Sequence, residues 1–277
     1  MKYDVVIPSL YHVDGDYLKV CVESLRDSGF EGKIIVVTNG TPNKPDLKDI
    51  RGVTAHIHTT KQGQCAAVNI GAQFISDDAE YMLISNSDMY YAPGWDKYLK
   101  LASPVVSPNL VEPVNNAGSA HPFLKIDGGL NLDEFDKELV DENIKALVKQ
   151  DHLEEPGFNF PVFIKRDLWK FLGGYDENYD PWGSNGDTDL QTRINLAGIT
   201  PKRYRDVLVY HFSNKSGTFD GTHQEFYMNN IEYFKQKFGF DRDELGSDVW
   251  YNKDMIPEDK ERIKYDQETY IPRLRSV

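Results

Sequence analysis

A chain of 277 residues, 40% of them hydrophobic, is long enough to bury a substantial core, as one large domain or as a domain with an extension. Its formal net charge of −13 argues against nucleic acid and against an anionic membrane surface as partners. No run approaches the roughly eighteen consecutive apolar residues of a transmembrane helix. The N-terminus enters a strand-like segment directly, so no signal peptide is expected. Cys21 and Cys65 each fall in an amphipathic helical pattern and read as buried reduced thiols, which points to a cytoplasmic protein. The sequence leaves a disulfide between them open.

In chain order, Tyr3–Ile7 is predicted as a buried strand stopped by Pro8-Ser9, and Leu18, Cys21, Val22 and Leu25 follow at helical spacing as far as Gly29. Lys33–Val37 is the second strand, ended by the turn signal Thr38-Asn39-Gly40-Thr41, and Val53–His58 is the third. Gly63–Ser76 carries Ala66, Ala67, Ile70, Phe74 and Ile75 on one face and is predicted helical. Tyr81–Ile84 is an apolar run that ends abruptly in Ser85, Asn86, Ser87 and Asp88, and Pro93 is expected to open another helix. This alternation spells βαβ units and a parallel sheet, a Rossmann-like half over residues 1–100.

No G-x-G-x-x-G follows the first strand, which argues against a dinucleotide site. Polar loops instead follow three strands, at Pro8-Ser9, Thr38-Asn39 and Asn86-Ser87-Asp88. They would meet along the carboxyl edge of the sheet, where open α/β sheets bind ligands, and they suit a single nucleotide. A lone carboxylate there, Asp88, suits a hard cation with phosphate oxygens as co-ligands. The plainer alternative is a turn in which Asp88 caps backbone groups. His56 and His58 share one face of a strand and, without a third ligand, are expected to be ordinary surface residues.

Pro104, Pro108, Pro113 and Gly118 break residues 101–130, and no long element is predicted there. Asp133–Gln150 is expected to be an acidic helix with Leu139, Ile144, Leu147 and Val148 inward. Phe160–Ile164 returns to strand, Leu168–Leu172 to a short helix, and Gly173-Gly174-Tyr175-Asp176 to a turn. Asp187–Ala197 is a helix stopped by Gly198, and Val207–Tyr210 is a last strand ending at His211. From about Thr222 onward the pattern is helical, charged and aromatic, an extension that packs on the domain, forms a homodimer interface or reaches a partner.

Several of these segments together resemble inverting glycosyltransferases of family 2, with the GT-A fold. Leu83-Ile-Ser-Asn-Ser-Asp88, followed by Pro93-Gly94-Trp95, is similar to that family's metal-binding D-x-D region. Gly173-Gly-Tyr-Asp-Glu177, then Trp182-Gly183, then Asp187-Thr-Asp-Leu190 and Arg193 resemble its G-G-F-D-E segment and its E-D-x-D-L-x-x-R helix. His211-Phe-Ser-Asn-Lys-Ser-Gly217 looks like the late histidine and serine that close the metal and diphosphate site, and Gly63–Asn69 resembles the helix after the third strand. The resemblance covers residues 3–217 in the family's order. It departs at Asn86, where the first D-x-D acid would stand, at Gly186, where a glutamate would precede the base, and at Thr38, where an acid often serves the nucleotide base.

The resemblance implies a GT-A domain over residues 1–221, with a nucleotide-sugar half (1–100) and an acceptor half (101–221), then a helical extension over 222–277. It implies transfer of a sugar from a nucleotide diphosphate to an acceptor hydroxyl of a glycan, lipid-linked or other molecule. Asp187 is expected to be the general base, although an aspartate opening a helix is also a common N-cap. Asp88 and His211 are expected to hold Mn²⁺ or Mg²⁺; the simpler fate of a strand-end histidine is a backbone bond. The donor site is expected to comprise Pro8, Ser9, Thr38, Asn39, Gly63, Asn69, Asn86, Ser87, Asp88 and Lys215. Trp182, Gly183, Asp189 and Trp95 are expected on the acceptor side, although an ion pair with Arg193 explains Asp189 and core packing explains most aromatics. Two alternatives stand beside this. A nucleotidyltransferase would need a glycine- and lysine-rich loop after the first strand, which Pro8–His12 lacks. A catalytically silent nucleotide- or sugar-binding module would have Asn86 and Gly186 as marks of decay.

Overall fold

The computed structural model describes residues 2–114, 124–148, 154–215, 222–245 and 255–265. Ser216, Gly217, Gly118, Gln150 and the last residues of the extension lie outside the described residues.

Among the described residues a ten-stranded mixed sheet orders its main path β3-β2-β1-β4-β9-β6-β10-β5. Its strands are β1 (Tyr3–Ser9), β2 (Ile34–Asn39), β3 (Ala55–Thr59), β4 (Tyr81–Ile84), β5 (Met89–Tyr90), β6 (Val105–Pro113), β7 (Leu124–Ile126), β8 (Glu154–Pro156), β9 (Val162–Lys165) and β10 (Lys202–His211). β1, β2, β3 and β4 run parallel, as the βαβ pattern predicts. β9 is antiparallel to both β4 and β6, and β10 is parallel to β6. The strands β1, β2, β3, β4, β6 and β10 therefore all point their carboxyl ends to the same edge.

Helices cover both faces: α1 (Tyr11–Asp27), α2 (Gln64–Gly71), α3 (Lys137–Leu147), α4 (Arg166–Leu172), α5 (Gly186–Leu196) and α6 (Gln224–Phe238). On one face Leu18, Cys21, Val22 and Leu25 of α1 pack on Val5, Ile34, Val36 and Leu83. On the other, α2, α4 and α5 bury Ala67, Val68, Leu172, Leu190 and Ile194 against Val6, Ile35, Met82 and Ile164. Phe234 and Phe238 of α6 belong to that same layer, so the helix expected in the extension packs on the domain. Val140 and Ile144 of α3 fill a third cluster with Tyr90, Leu208 and Phe212. Among the described residues no helix is long and apolar enough to cross a membrane.

Four expectations change. Pro93 opens no helix: Trp95, Lys97 and Leu99 make only three-residue turn bonds to Ala92, Gly94 and Asp96, and Gly94 sits at φ 76°, which interrupts helical backbone. The proline-broken stretch holds the nine-residue central strand β6. Leu139 is on the exposed side of α3, and Val140 takes the inward position. The helix of Gly63–Ser76 stops at Gly71 and tightens into a 3₁₀ turn over Ala72–Phe74.

Candidate active site

The carboxyl edge is knitted together by side chains. Asp14, in the first turn of α1, accepts hydrogen bonds from Ser9 Oγ and Ser87 Oγ, both at 2.6 Å, and from the backbone N–H of Leu10 at 3.2 Å. It thereby ties the end of β1 to the loop after β4. Burial pushes its carboxyl up, and the two hydroxyls partly offset that. Asn39 at the end of β2 donates to Ser9 O at 3.1 Å and accepts from Gly63 N–H at 3.1 Å, which carries the edge on to α2. Asn86 is half-buried, and its backbone carbonyl accepts from Cys21 Sγ and Ser85 Oγ. Pro8 is buried within β1 itself, so that strand extends to Ser9.

Asp88 and His211 are brought together. Asp88 Oδ1 lies 3.4 Å from His211 Nε2, and Asp88 Oδ2 accepts the backbone N–H of Lys215 at 3.2 Å. His211 Nδ1 faces Glu112 Oε1 at 3.1 Å, so the end of β6 orients the ring and leaves Nε2 for Asp88. Burial alone would raise Asp88 and lower His211. Their mutual attraction outweighs it, holding Asp88 below the ordinary carboxylate range and raising His211 to about 9. One carboxylate oxygen and one imidazole nitrogen are a donor pair suited to a divalent ion whose other positions are filled by phosphate and water. Among the described residues no group of three or more His, Cys, Asp or Glu could hold a metal by itself. A divalent ion held by this pair would therefore need further ligands beyond these two side chains. The Lys215 ammonium lies over the Tyr17 ring, 5.8 Å from its centroid.

The second half reaches this edge through Asp180, whose two carboxylate oxygens accept the N–H groups of Cys65 and Ala66 at 3.2 and 2.9 Å. This carboxylate caps α2 from a loop more than a hundred residues away. Gly63 must be glycine: at φ 151° any Cβ would meet the Asp180 carboxylate at 2.0 Å. The loop after Asp180 carries Trp182, stacked on His223 with ring centroids 3.4 Å apart, and Gly183, whose Cβ would touch Gln64. α5 then starts at Gly186. Its N-cap is Asn185 in the left-handed conformation at φ 68°, so Asp187 is not spent on capping. Asp187 is half-buried, accepts one hydrogen bond from Tyr175 Oη at 2.9 Å, and is pushed up to about 6 by burial. Gly186 is explained by packing: its Cβ would lie 2.8 Å from Cys65 Sγ, leaving no room for a glutamate.

Four expected site residues stand elsewhere. Trp95 is fully buried, edge-on to Tyr91 and stacked on Phe163, so it has no face to offer an acceptor. Asp189 is also fully buried, and its carboxylate is taken by Arg193 Nε and Lys237 Nζ, both at 2.5 Å. Asn69 is consumed by backbone bonds to Tyr175 N–H and O, at 2.8 and 2.9 Å. Thr38 is buried with its hydroxyl between His56 Nε2 at 2.8 Å and His58 Nδ1 at 3.0 Å, so these histidines are hydrogen-bonded rather than idle on the surface. Sequence reasoning missed Asp14, Glu112 and Asp180. Their only signal was an acid near a strand or helix end.

Residues 4–101 match the family model described as glycosyl transferase family 2. Among solved structures, the fold is similar to that of S. aureus TarS in complex with UDP-GlcNAc, with a TM-score of 0.51 and 13% identity over 87% of this chain and 74% of that one. It is also similar to GalNAc-T7 with UDP, GalNAc and Mn²⁺, with a TM-score of 0.50 and 18% identity over 76% of this chain and 43% of that one. No curated protein matches the chain. Residues 4–101 thus carry a glycosyl transferase family 2 segment, and the mixed sheet with helices on both faces is similar to the GT-A fold of these structures.

Proposed function

We propose that the protein transfers a sugar from a nucleotide-diphosphate donor to an acceptor hydroxyl with inversion at the anomeric carbon. The half over residues 1–100 takes the nucleotide, and residues 101–221 present the acceptor. The observation that carries this reading is Asp187: a half-buried carboxylate raised to about 6, with one hydrogen bond, from Tyr175, on the segment that Asp180 joins to the nucleotide edge. Such a group is ionised at neutral pH, yet basic enough to take a proton. Asp187 removes the acceptor O–H proton as that oxygen forms its bond to the anomeric carbon. The bond from that carbon to the diphosphate oxygen breaks, and the electron pair leaves with the nucleotide diphosphate. Tyr175 Oη steadies the carboxylate before the transfer.

Asp88 and His211 are the residues that would hold a divalent ion, which when bound neutralises charge on the leaving diphosphate. Ser9 and Asn39 end β1 and β2, and Asn86 and Ser87 follow β4, so all four stand at the sheet edge assigned to the donor. Trp182, half-buried and stacked on His223, is the aromatic surface suited to a sugar face. The solved structures with UDP-sugar components support a uridine nucleotide as the first donor to try. The exposed Phe226 and Met228 on α6 are the residues on which a homodimer through the C-terminal helices would rest.

The test is turnover of a panel of nucleotide sugars with Mn²⁺ or Mg²⁺ against glycan and lipid-linked acceptors, with the anomeric product assigned by NMR. Inversion, lost in Asp187→Asn, supports the reading. Nucleotide binding without turnover of any donor, hydrolysis included, would replace it with the silent binding module.

A further inference from the structure

Lys237 of α6 has no solvent contact, and its ammonium touches two carboxylates: Asp176 Oδ2 at 2.8 Å and Asp189 Oδ2 at 2.5 Å. Those two residues are the neighbours of everything that holds Asp187. Asp189 lies in the same first turn of α5. Asp176 follows Tyr175, the donor of the hydrogen bond that Asp187 accepts. Arg193 braces the same pair of segments from the other side, with Nε on Asp189 Oδ1 at 2.5 Å and Nη1 on the carbonyls of Leu172 and Gly174, each at 2.8 Å. The four charges balance, two of each sign.

Other residues of α6 and the turn after it reach the same stretch. Asn230 donates to Tyr179 O and Ser184 O, Tyr233 donates to Asp176 Oδ2, and Arg242 donates to Asn185 Oδ1. They grip both ends of the loop bearing Trp182 and the start of α5. Buried ion networks contribute little net stability over apolar packing, while removing one partner leaves an uncompensated buried charge.

We propose that α6 is a working part of the active site, and that Lys237 is a positioning residue that sets the backbone carrying Asp187 against the Tyr175 hydroxyl that orients it. The inference rests on the reading of Asp187 as the base. It makes the helix beyond the sheet a determinant of turnover rather than an attachment.

The test uses the full chain. Lys237→Met combined with Asp176→Asn removes one charge of each sign, so the remaining Asp189–Arg193 pair stays balanced. The double variant is expected to fold and to be stabilised by Mn²⁺ with UDP as the wild type is, because the donor edge lies elsewhere. Its kcat falls by roughly 100-fold, the scale of a displaced catalytic group. The acid limb of its pH–rate profile moves away from about 6. Amide hydrogen exchange quickens over residues 186–190 and stays unchanged over 4–101.

A folded double variant with wild-type kcat, an unmoved acid limb and unchanged exchange would overturn the proposal. So would an equal loss of Mn²⁺–UDP stabilisation, which would mark a general defect. If the double variant does not fold, Tyr233→Phe decides, since it removes a single hydroxyl, the one that donates to Asp176 and accepts from Asn178 Nδ2. It should lower kcat several-fold and shift the same limb, and an unmoved limb refutes the role. Asp187→Asn is measured alongside. If it retains the wild-type rate, the base assignment fails; if it is inactive while the double variant is normal, only the role of Lys237 fails.

Discussion

Asp187→Asn separates function from stability in opposite directions. Burial raises this carboxyl from its ordinary 3.8 to about 6. At about 1.36 kcal/mol for each tenfold change in proton affinity, that gap corresponds to about 3 kcal/mol between the neutral and ionised forms. Because Asp187 keeps part of its surface in solvent, about 1–3 kcal/mol is the working range. The sign follows from the direction of the shift. A folded-state pKa above the unfolded one contributes stability that is fully present below 3.8 and lost as pH rises through about 6. At pH 7.5 the wild type therefore carries a charge that the fold disfavours. Asparagine keeps an oxygen for the Tyr175 hydroxyl without that charge. For a chain of 277 residues, the gain corresponds to a Tm increase of about 2–5 °C at pH 7.5, shrinking towards zero near pH 4. Turnover falls by about 10²–10⁴. Differential scanning fluorimetry across pH, paired with donor turnover, measures both. A Tm gain equal at pH 4 and pH 7.5 would refute the desolvated carboxylate, and a retained rate would refute its role as base.

Wild-type kcat should rise with pH through about 6 and then level off as Asp187 ionises, which a pH–rate profile checks. Asp88→Ala should abolish the extra thermal stabilisation that Mn²⁺ gives over UDP alone; calorimetry on the nucleotide-free wild type should find only weak metal binding, since one carboxylate and one imidazole are the protein's share. Gly186→Ala should cost about 1–3 kcal/mol by overpacking against Cys65 Sγ, and Cys65→Ala should relieve most of that in a double-mutant cycle by chemical denaturation. Trp95→Ala should cost about 3–5 kcal/mol as a core deletion and leave the KM for acceptor unchanged in whatever fraction remains folded.

The strand–helix alternation of the first hundred residues was legible because its apolar runs are continuous and its turns carry glycine, asparagine and proline. β6 was not, because Pro104, Pro108 and Pro113 read as breakers. Pro108 is tolerated where the β6–β10 register shifts between Tyr204 and Leu208, an irregularity that only the pairing reveals. Pro93 misled in the other direction: a helix-start signal was overridden by Gly94. At the site, Asp88, His211 and Asp187 were legible as residues of a pattern. Asp14, Glu112 and Asp180 were not, because each acquires its meaning from a partner far away in sequence, Asp14 from Ser87 and Asp180 from Cys65. Trp95 and Asp189 were misplaced for a related reason. Residue type alone does not distinguish an aromatic or a carboxylate at a cleft from one sealed beneath it.

The reach of Asp180 back to α2 has a consequence for how the molecule can be divided. The N-terminus of α2 is an anion-binding position by its backbone amides, and a carboxylate of the same chain already fills it. Likewise β4 has β1 on one side and, on the other, β9, which the chain supplies only after residue 161. A fragment cut at residue 101 would thus have an open sheet edge at β4 and a bare helix end at α2. The segment that carries the family pattern is a unit of sequence but not of folding. A catalytic minidomain cannot be made by trimming to it, and chimaeras that exchange nucleotide halves need to carry Asp180 and β9 along.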